Sequence, residues 1–304
     1  MKSFDLAVIG GGPAGLTAAV YARRAEKSVV VLEKETFGGQ ITFSPKVENI
    51  PGFLSPSGNE FAERLVDQAL AQGAEMEVCE VTAVTPEEGG FLIETDDEPV
   101  RARAVILATG ARHRTLGLPG EEDFIGDGIS FCAVCDGAFY RGARVAVIGG
   151  GNSALQEALL LSDLAEKVIV VQNLDFLTGE KALQDQLLAK PNVEVILGTV
   201  LDAYLGKGEL KGIRTRREKD GQLAEIPVDG VFLAVGLLPQ NEPFRDLVEL
   251  DERGYAASGE TCRTRTPGVF VAGDCRAKRI RQVTTAAADG AVAALAACDF
   301  LEGR

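Results

Sequence analysis

The chain has 304 residues, enough for two nucleotide-binding domains that each bury a hydrophobic core. Its 35 glycines and its aromatic content of only 6% are typical of a turn-rich α/β protein. A net charge of −14 argues against nucleic acid as a partner, and no apolar stretch is predicted to be long enough to span a membrane, so we expect a cytoplasmic protein.

The first predicted strand ends in a glycine-rich turn. Leu6–Ile9 is apolar and leads into the segment Gly10–Gly15, and a helical pattern continues to about Ala25. Such a turn brings the backbone close to a pyrophosphate and directs a helix N-terminus at it. The next strand, Ser28–Leu32, is followed by Glu33 at the right distance to accept a hydrogen bond from a ribose hydroxyl. These residues predict a dinucleotide site.

The rest of this first part is predicted to be a helix and a series of strands. The helix covers Glu60–Gln72, short strands with turn signals follow it, and the strand Val105–Gly110 comes last.

The whole pattern recurs 139 positions later. Arg144–Ala154 repeats the strand and its glycine turn, and a second stretch of strands and turns leads to Val231–Gly236, which corresponds to Val105–Gly110. Since a strand, a glycine turn, a helix and a terminal strand all repeat in the same order, the repeat is one of whole domains.

The residues after Asn241 are too few for a third domain of this kind. Their strand at 268–273 and their helical stretch Thr284–Phe300 are therefore predicted to return to the first domain. The predicted fold is α/β, with two Rossmann-like nucleotide-binding domains of the three-layer ββα type. The predicted boundaries are 1–115 and 242–304 for the first domain and 116–241 for the domain inserted into it.

The second glycine turn differs from the first at the position that selects the nucleotide. The repeat aligns Glu33 with Gln172, which is a poorer acceptor for a ribose hydroxyl. Its neighbours Asn173 and Leu174 supply no arginine for a 2′-phosphate. The sequence therefore predicts one complete dinucleotide site and one that has lost its specificity residue.

Only two of the six cysteines, Cys132 and Cys135, form a close pair. Cysteines at this spacing can exchange electrons as a disulfide, and the alternatives are half of a zinc site or an inert structural pair. Zinc needs four ligands and no second CxxC or CxxH exists, so we expect no metal site. Asp136 is the best-placed group for proton transfer to a thiolate, although an aspartate before glycine is also a common turn former. The only histidine, His113, is predicted to be a solvated loop residue.

Over nearly its whole length the chain resembles the low-molecular-weight thioredoxin reductase family. The segments that carry the resemblance are GGGPAG (Gly10–Gly15), GGQ (Gly38–Gln40), VENIPG (Val47–Gly52), ATGA (Ala108–Ala111), CAVCDG (Cys132–Gly137), GGGNSA (Gly149–Ala154), AGD (Ala272–Asp274) and the pair Arg281-Gln282. In that family a two-part domain binds FAD, and the inserted domain carries the CxxC pair and the NADPH site. The resemblance implies a flavoprotein disulfide reductase, and we expect a homodimer.

The resemblance also implies roles for individual residues. Cys135 would meet the flavin, Cys132 would attack the disulfide of the partner, and Asp136 would donate the proton. Glu33 would hold the adenosine ribose and Asp274 the ribityl chain. The full set implied to bind FAD is Gly10, Gly12, Pro13, Ala14, Gly15, Glu33, Gly39, Gln40, Asn49, Thr109, Gly110, Gly273, Asp274, Arg281 and Gln282, of which Gln40 and Asn49 would lie along the flavin and Arg281 and Gln282 would face its pyrimidine side.

The resemblance breaks at the NADPH signature. The family motif HRRxxxR falls on Gln172–Thr178, where every basic position is lost. Superfamily members without this motif resemble ferredoxin-dependent flavin thioredoxin reductases, or diflavin-linked disulfide oxidoreductases in which a second flavin occupies the vacated region. The implied acceptor is a thioredoxin-like protein and the candidate donor is ferredoxin. One alternative is a conventional NAD(P)H-dependent thioredoxin reductase, with the nucleotide held weakly by the glycine turn, and another is a non-enzymatic flavin redox sensor.

Four cations follow Asp274 closely, which is unusual in an acidic chain. Arg281 is accounted for by the resemblance, and Arg276, Lys278 and Arg279 are not. One interpretation is a basic rim that steers an acidic one-electron carrier to the flavin edge, and the alternative is a solvated loop whose charges contribute little.

Overall fold

The structure is a computed structural model that describes residues 1–44 and 47–304. The chain divides into two compact units. The first unit contains residues 1–42, 50–112 and 238–304, and the second contains residues 43–49 and 113–237. The sequence prediction put the crossings at 115/116 and 241/242 and assigned 43–49 to the first domain.

In chain order, the strands and helices are β1 Ser3–Ile9, α1 Pro13–Arg24, β2 Val29–Glu33, α2 Gly58–Ala71, β3 Glu75–Val78, β4 Val81–Glu87, β5 Gly90–Thr95, β6 Val100–Leu107, β7 Ala111–His113, β8 Ile129–Ser130, α3 Ala133–Asp136, β9 Arg144–Ile148, α4 Asn152–Ser162, β10 Lys167–Val171, α5 Lys181–Leu188, β11 Val193–Ile196, β12 Thr199–Gly206, β13 Leu210–Arg217, β14 Leu223–Ile226, β15 Gly230–Leu233, β16 Leu237–Pro239, β17 Val269–Val271 and α6 Val283–Leu301.

The first unit is built on one mixed sheet with the strand order β3-β2-β1-β6-β5-β4. Strands β1, β2, β3 and β6 are parallel to one another, and β4 and β5 are antiparallel additions. The long strand β6 changes partner along its length, because Val100–Ala102 pairs with β5 and Val105–Leu107 pairs with β17. The C-terminal strand β17 thus lies in the same sheet as the N-terminal strand β1.

Alternation along β1 places apolar side chains on both faces of this sheet. Leu6 and Val8 belong to the buried cluster that contains α1 and α6, whereas Ala7 and Ile9 belong to the opposite cluster. On the helical face α1 and α6 pack closely, since a Cβ at Gly290 of α6 would overlap the carbonyl oxygen of Ala14. Small residues therefore set the distance between the two helices that cover the sheet.

The expectation that no apolar stretch reaches membrane-spanning length is wrong, because α6 has 19 residues and a mean hydropathy of 1.3 over its most apolar window. This value comes from alanine rather than from large side chains. Ala286, Gly290, Ala293, Ala294 and Ala297 are buried on the face of α6 that meets α1 and the sheet. The helix is a core helix of the first unit, and its small residues are required by close packing.

The second unit repeats the plan with three layers. Its central sheet is parallel, with the order β11-β10-β9-β15-β8, and a separate antiparallel sheet contains β12, β13 and β14. Side chains of β9 alternate between a buried cluster with α4 and α5 and another with the antiparallel sheet. This helix–sheet–sheet order, together with the parallel cores, confirms the predicted fold class.

The chain enters the second unit through a loop that is fixed by one buried carboxylate. Glu121 is only 3% exposed and accepts hydrogen bonds from the backbone N–H groups of Leu116, Gly117 and Leu118 and from the hydroxyl of Tyr204. Four donors satisfy this carboxylate, so the loop 116–118 has a defined conformation despite its glycine.

Candidate functional site

The glycine turn after β1 has the geometry that a close backbone approach requires. Gly10 has a φ of +110°, which favours glycine, and a Cβ at Gly15 would overlap the carbonyl oxygen of Gly10. Gly12 is the extended N-cap of α1, with Pro13 at the first helical position and no side chain capping the N–H groups. The helix N-terminus is thereby left available for a phosphate.

Glu33 lies at the end of β2 and is bound to the glycine turn. Its Oε2 accepts from the N–H of Gly11 at 2.7 Å, and its Oε1 accepts from the N–H of Glu35 at 2.9 Å. Burial raises the pKa of this carboxyl, and the hydrogen bond from Gly11 partly opposes that effect. Both oxygens retain further acceptor capacity, as binding to a ribose hydroxyl requires.

The loop after β2 covers the glycine turn with its backbone. The N–H of Gly38 donates to the carbonyl of Gly11 at 2.8 Å, and a Cβ at Gly39 would lie 3.2 Å from Cα of Gly12. Gln40 is exposed beside this approach. Asn49 belongs to the segment 43–49, which is grouped with the second unit, so its predicted contact with the flavin stays a prediction.

The ends of β6 and β17 meet at the same edge of the sheet, because parallel strands end side by side. The buried residue Asn241 connects them: its Oδ1 accepts from the hydroxyl of Thr109 at 3.0 Å, and its Nδ2 donates to the carbonyl of Cys275 at 2.8 Å. Thr109, Gly110, Gly273 and Asp274 are therefore held at one edge with the first glycine turn.

Asp274 is the polar group at this edge with the least complete set of partners. Its Oδ1 is buried, and within the described part of the chain it accepts no hydrogen bond of good geometry. Burial raises the pKa of the carboxyl, and the Lys278 ammonium opposes this effect from 3.4 Å. A buried acceptor of this kind is suited to a hydroxyl of a bound cofactor.

Arg281 and Gln282 lie between this edge and α6. The guanidinium of Arg281 stacks over Tyr255 at 4.0 Å and donates to the carbonyl of Asp274 at 3.3 Å. Gln282 is the N-cap of α6, and its N–H donates to the hydroxyl of Thr285 at 3.1 Å. With the glycine turn, Glu33 and Asp274, these residues fit FAD, although the individual contacts with the flavin stay predictions.

The second glycine turn keeps the backbone of the first. Gly149 has a φ of +129°, and Gly151 is the extended N-cap of α4. The side chain of Gln172 differs in its contacts, since it is 4% exposed and its Nε2 donates to the carbonyl of Phe176 at 3.3 Å. A Cβ at Gly150 would lie 2.5 Å from Cδ of Gln172. The glutamine amide therefore lies against its own turn.

The predicted redox pair is a disulfide. Cys132 and Cys135 are bonded to each other, and Cys132 is the N-cap of the single-turn helix α3. Both residues are half-buried, and the intervening Val134 is 57% exposed. The disulfide is therefore partly exposed to solvent.

Asp136 lies directly after the disulfide and is held by Ser130. The hydroxyl of Ser130 donates to Oδ2 of Asp136 at 2.6 Å and accepts from the N–H of Cys132 at 3.1 Å. The other oxygen, Oδ1, is buried and without a hydrogen-bond partner among the described residues. Burial raises the pKa of Asp136, and the Ser130 hydroxyl opposes this effect. A carboxyl in this setting holds its proton to a higher pH than an exposed aspartate does, as a proton donor requires.

The prediction that His113 is a solvated loop residue is wrong. Its ring stacks on Phe131, with 4.6 Å between centroids and 21° between planes, and burial lowers its pKa to about 4. Neighbouring arginines made the segment look solvated, but the alternation of β7 turns His113 toward Phe131.

The interpretation of Arg276, Lys278 and Arg279 as a basic rim is wrong for two of the three residues. Arg276 is 8% exposed, and the side chain of Lys278 is 13% exposed, because both form ion pairs with Asp289. Arg279 alone is exposed. A pattern of charge in a loop does not show where each side chain goes, and here an acidic residue on α6 draws two cations inward.

Sequence reasoning missed Ser130, Asn241 and Asp289. Ser130 gave a weak signal, as a polar residue in an apolar strand two positions before Cys132. Asn241 had been assigned only to a crossing between domains, and Asp289 lies in an alanine-rich helix with no motif around it. Both connect segments that are distant in sequence, which no local pattern reports.

Comparison with known proteins gives the family of this chain. Residues 4–290 match the model of the pyridine nucleotide-disulphide oxidoreductase family. The chain is 41% identical over 300 residues to a thioredoxin reductase of Treponema pallidum, which covers 98% of this chain and 97% of that protein. It is 40% identical over 304 residues to a protein of Clostridium pasteurianum named the 34.2 kDa protein in rubredoxin operon, at coverages of 100% and 99%.

A solved structure extends the likeness to three dimensions. The crystal structure of thioredoxin reductase from Streptococcus pyogenes matches with a TM-score of 0.93 and 38% sequence identity, over 99% of each chain. The likeness covers both units of the chain.

Proposed function

Because the chain belongs to the pyridine nucleotide-disulphide oxidoreductase family and is a thioredoxin reductase-like disulfide oxidoreductase, we propose that it reduces a thioredoxin-like protein with electrons from bound FAD, and that its own donor is not NADPH. The observation that carries the proposal is the surface disulfide Cys132–Cys135 beside the buried carboxyl of Asp136. Gln172, which lies over the second glycine turn, supports the statement about the donor.

The cysteine pair would exchange one disulfide for another. Bound FAD, once reduced by the donor, would supply the electron pair that, with two protons, converts Cys132–Cys135 to two thiols. The Cys132 thiolate then attacks one sulfur of the acceptor disulfide, a mixed disulfide forms, and the other acceptor sulfur leaves as a thiolate. The Cys135 thiolate attacks Cys132 and releases the second acceptor sulfur. The acceptor gains two electrons and two protons, and Cys132–Cys135 is restored.

Asp136 would handle the protons of this exchange. Because burial raises its pKa, the carboxyl is protonated to a greater extent than an exposed aspartate at the same pH. Ser130 binds Oδ2 and leaves Oδ1 to carry the proton. The proton is donated to a leaving thiolate, and the carboxylate takes one up when Cys132 is activated.

Two observations support a donor other than NADPH. Residues 172–178 contain no arginine, lysine or histidine, so no side chain of this window can bind a 2′-phosphate. An arginine on a neighbouring strand is also engaged elsewhere. Arg217 is paired with Thr199, whose N–H donates to the carbonyl of Gln172, but the Arg217 guanidinium forms an ion pair with Asp220 at 3.2 Å. Because the amide of Gln172 already lies against the turn, the proposal includes one FAD per chain and assigns no second flavin.

The nearest rival is a conventional NAD(P)H-dependent enzyme, which the intact backbone of the second turn favours. The rival from another class is a flavin redox sensor without turnover. Ferredoxin is the donor that we propose to test first. Rubredoxin belongs in the same test, since one relative is named for a rubredoxin operon.

Stopped-flow reduction of the purified yellow protein tests the proposal. NADPH, NADH, reduced ferredoxin and reduced rubredoxin are compared under the same conditions, and the reduced protein is then mixed with oxidised thioredoxin. We expect slow reduction by both nicotinamides, fast reduction by a one-electron carrier, and stoichiometric formation of thioredoxin dithiol. Rapid reduction by micromolar NADPH would refute the donor assignment, and failure to reduce any protein disulfide would favour the sensor.

The homodimer and the cytoplasmic location stay predictions. Light scattering of the purified protein measures the first, and fractionation of cells measures the second.

A further inference from the structure

Four charged side chains of the first unit form one connected group, which we call the charge cluster: Asp274, Arg276, Lys278 and Asp289. Two carboxylates and two cations balance each other, and all four side chains are at least half-buried. The cluster lies between the loop after β17, which carries Asp274, and the first half of α6. No part of it is accounted for by the proposed exchange of disulfides.

Arg276 fixes one side of the cluster. Its Nε donates to the hydroxyl of Ser258 at 3.0 Å, its Nη2 donates to the carbonyl of Gly259 at 2.8 Å, and its Nη1 lies 2.5 Å from Oδ1 of Asp289 and 3.2 Å from the sulfur of Cys262. Every nitrogen of the guanidinium has a partner. Because the planar guanidinium of Arg276 is bound at all three nitrogens, it holds Asp289 in one position.

Asp289 receives donors from three places. Oδ1 binds Arg276, and Oδ2 accepts from the ammonium of Lys278 at 2.9 Å and from the N–H of Gly273 at 3.1 Å. Gly273 is adjacent to Asp274, so the backbone at the proposed ribityl site is tied directly to α6. A buried carboxylate with this many charge-assisted donors is strongly ordered.

Lys278 connects the two carboxylates. Its Nζ lies 2.9 Å from Asp289 and 3.4 Å from Oδ1 of Asp274. The same Oδ1 is the buried oxygen that accepts no hydrogen bond of good geometry within the described residues. The lysine therefore supplies charge to Asp274 without using up the acceptor position.

The next residue of α6 places the cluster beside the first glycine turn. Gly290 packs against the backbone of Ala14, and a Cβ at Gly273 would lie 2.8 Å from Cβ of Ala14. Ala14 follows Pro13 at the start of α1, the helix that is directed at the phosphates. Asp289 thus lies where three segments of the FAD site converge.

We infer that Asp289 is a positioning residue for FAD: it holds Lys278 against Asp274 and binds the N–H of Gly273, so that the Asp274 carboxylate is directed at a hydroxyl of the cofactor. This inference rests on the proposed FAD site and adds a residue that touches no cofactor atom itself. It also gives a reason for the inward turn of Arg276 and Lys278, which would otherwise be surface cations.

The inference has a pH signature. Asp274 is faced by Lys278 and Arg281 from its own loop, by Asp289 from α6 and by Tyr255 from the segment before β17. Burial and the negative charge of Asp289 raise the pKa of Asp274, and Lys278 lowers it, so loss of the lysine charge raises the pKa further. FAD binding that depends on the carboxylate then begins to weaken at a higher pH when the solution is acidified.

The experiment measures the Kd of FAD for apoprotein by flavin fluorescence between about pH 8 and about pH 5. The variants are Asp289→Asn, Lys278→Met, both together, and Lys278→Arg. Asp299→Asn is the matched control, since Asp299 lies on α6 in an exposed pair with Arg304. We expect Asp289→Asn and Lys278→Met each to weaken FAD binding by roughly tenfold at neutral pH, and Lys278→Met to weaken it further in acid. The double variant should be little worse than either single one, Lys278→Arg should recover most of the affinity, and Asp299→Asn should match the parent protein.

The same data separate this inference from the proposed function. A parent protein that binds no FAD would refute the function. With FAD bound by the parent, a Kd that is unchanged in Lys278→Met, or weakened by one factor at every pH, would overturn the inference and leave the function intact. If Asp289→Asn fails to fold, Lys278→Met and Lys278→Arg decide the question without it.

Discussion

The two glycine turns of this chain have nearly the same backbone and opposite side-chain contacts. In the first, Phe37 lies over Gly11, and a Cβ at Gly11 would meet the ring at 2.5 Å. In the second, the equivalent aromatic residue Phe176 is 61% exposed, and Gln172 takes the place over Gly150. The first turn thus has a covering ring and an acidic acceptor, and the second has an amide that covers the turn itself.

The comparison teaches that a glycine fingerprint specifies a backbone and not a ligand. Both turns direct a helix N-terminus outward, because the glycines allow the same φ angles in each. What differs is the residue at the end of the second strand and the loop after it. Specificity therefore depends on a few side chains, which substitution can test.

The largest expected effect is on thioredoxin reduction, which is proposed to depend on the disulfide in the second unit. Cys132→Ser or Cys135→Ser should lower thioredoxin reduction by roughly three orders of magnitude or more, since Cys132→Ser cannot form the mixed disulfide and Cys135→Ser cannot resolve it. FAD content should be unchanged, because the first turn is untouched. Cys132→Ser should also leave the Cys135 thiolate visible as a long-wavelength absorbance band with oxidised flavin. Full turnover in both variants would show that the disulfide is structural.

Asp136→Asn should slow turnover by about a hundredfold, the usual effect of removing a general acid. Ser130→Ala is the matched variant, because it removes the hydroxyl that lowers the pKa of Asp136. The pKa should rise further, and the decline of activity at alkaline pH, where the acid form is lost, should move to higher pH. A pH–rate profile identical to the parent's would argue against Asp136 as the proton donor.

The contribution of the first turn to FAD binding is tested at Glu33, its acceptor for a ribose hydroxyl. Glu33→Ala should weaken FAD retention by about 1–3 kcal/mol, because the N–H of Gly11 and the ribose both lose their partner. Gln172→Ala is the matched change in the second turn and should leave FAD affinity unchanged. Equal effects at both positions, measured by FAD titration of the apoproteins, would mean that the second turn also contributes to FAD binding.

The second turn is tested by restoring what it lacks. The quadruple variant Gln172→His, Asn173→Arg, Leu174→Arg and Thr178→Arg should raise NADPH affinity by about tenfold, as charge-assisted contacts to a 2′-phosphate become available. Affinity for NADH should change much less, and calorimetry measures both. Equal gains for the two nucleotides would show that added positive charge, and not phosphate recognition, is responsible.

The helices after the two turns differ at one equivalent position. This difference gives the smallest expected effect, a change in thermal stability. Ala18 of α1 is fully buried, whereas its counterpart Glu157 of α4 has a buried oxygen without a hydrogen bond among the described residues. Burial raises the pKa of Glu157 to about 8. The stability of the folded state should fall as pH rises from the pKa of an exposed glutamate toward 8, because the unfolded chain ionises first. Glu157→Gln should therefore raise Tm at alkaline pH by a few degrees and have little effect in acid, and an equal shift at both pH values would contradict this.

The sequence was a reliable guide where a feature is local. Both glycine turns, the helices after them and the aligned pair Glu33 and Gln172 follow from short motifs whose residue types are dictated by backbone geometry. The burial of Arg276 and Lys278 could not be predicted, because it depends on Asp289 in another element. His113 was misjudged for the same reason, since Phe131 is distant from it in sequence. The apolar character of α6 was underestimated from the sequence, because the alanines that are needed for close packing also raise its mean hydropathy.

The pairing of β17 with β6 has a consequence for the synthesis of the protein. Residues 1–112 are made before the inserted stretch, but the strand and the helix that complete their sheet are made only after it. The stretch 113–237 is continuous and can fold while synthesis proceeds. Until residues 238–304 have been made, the nascent portion 1–112 exposes the apolar face of α1 and the unpaired end of β6. Binding of FAD is thus expected to follow the synthesis of residues 238–304, so nascent chains pass through a colourless stage.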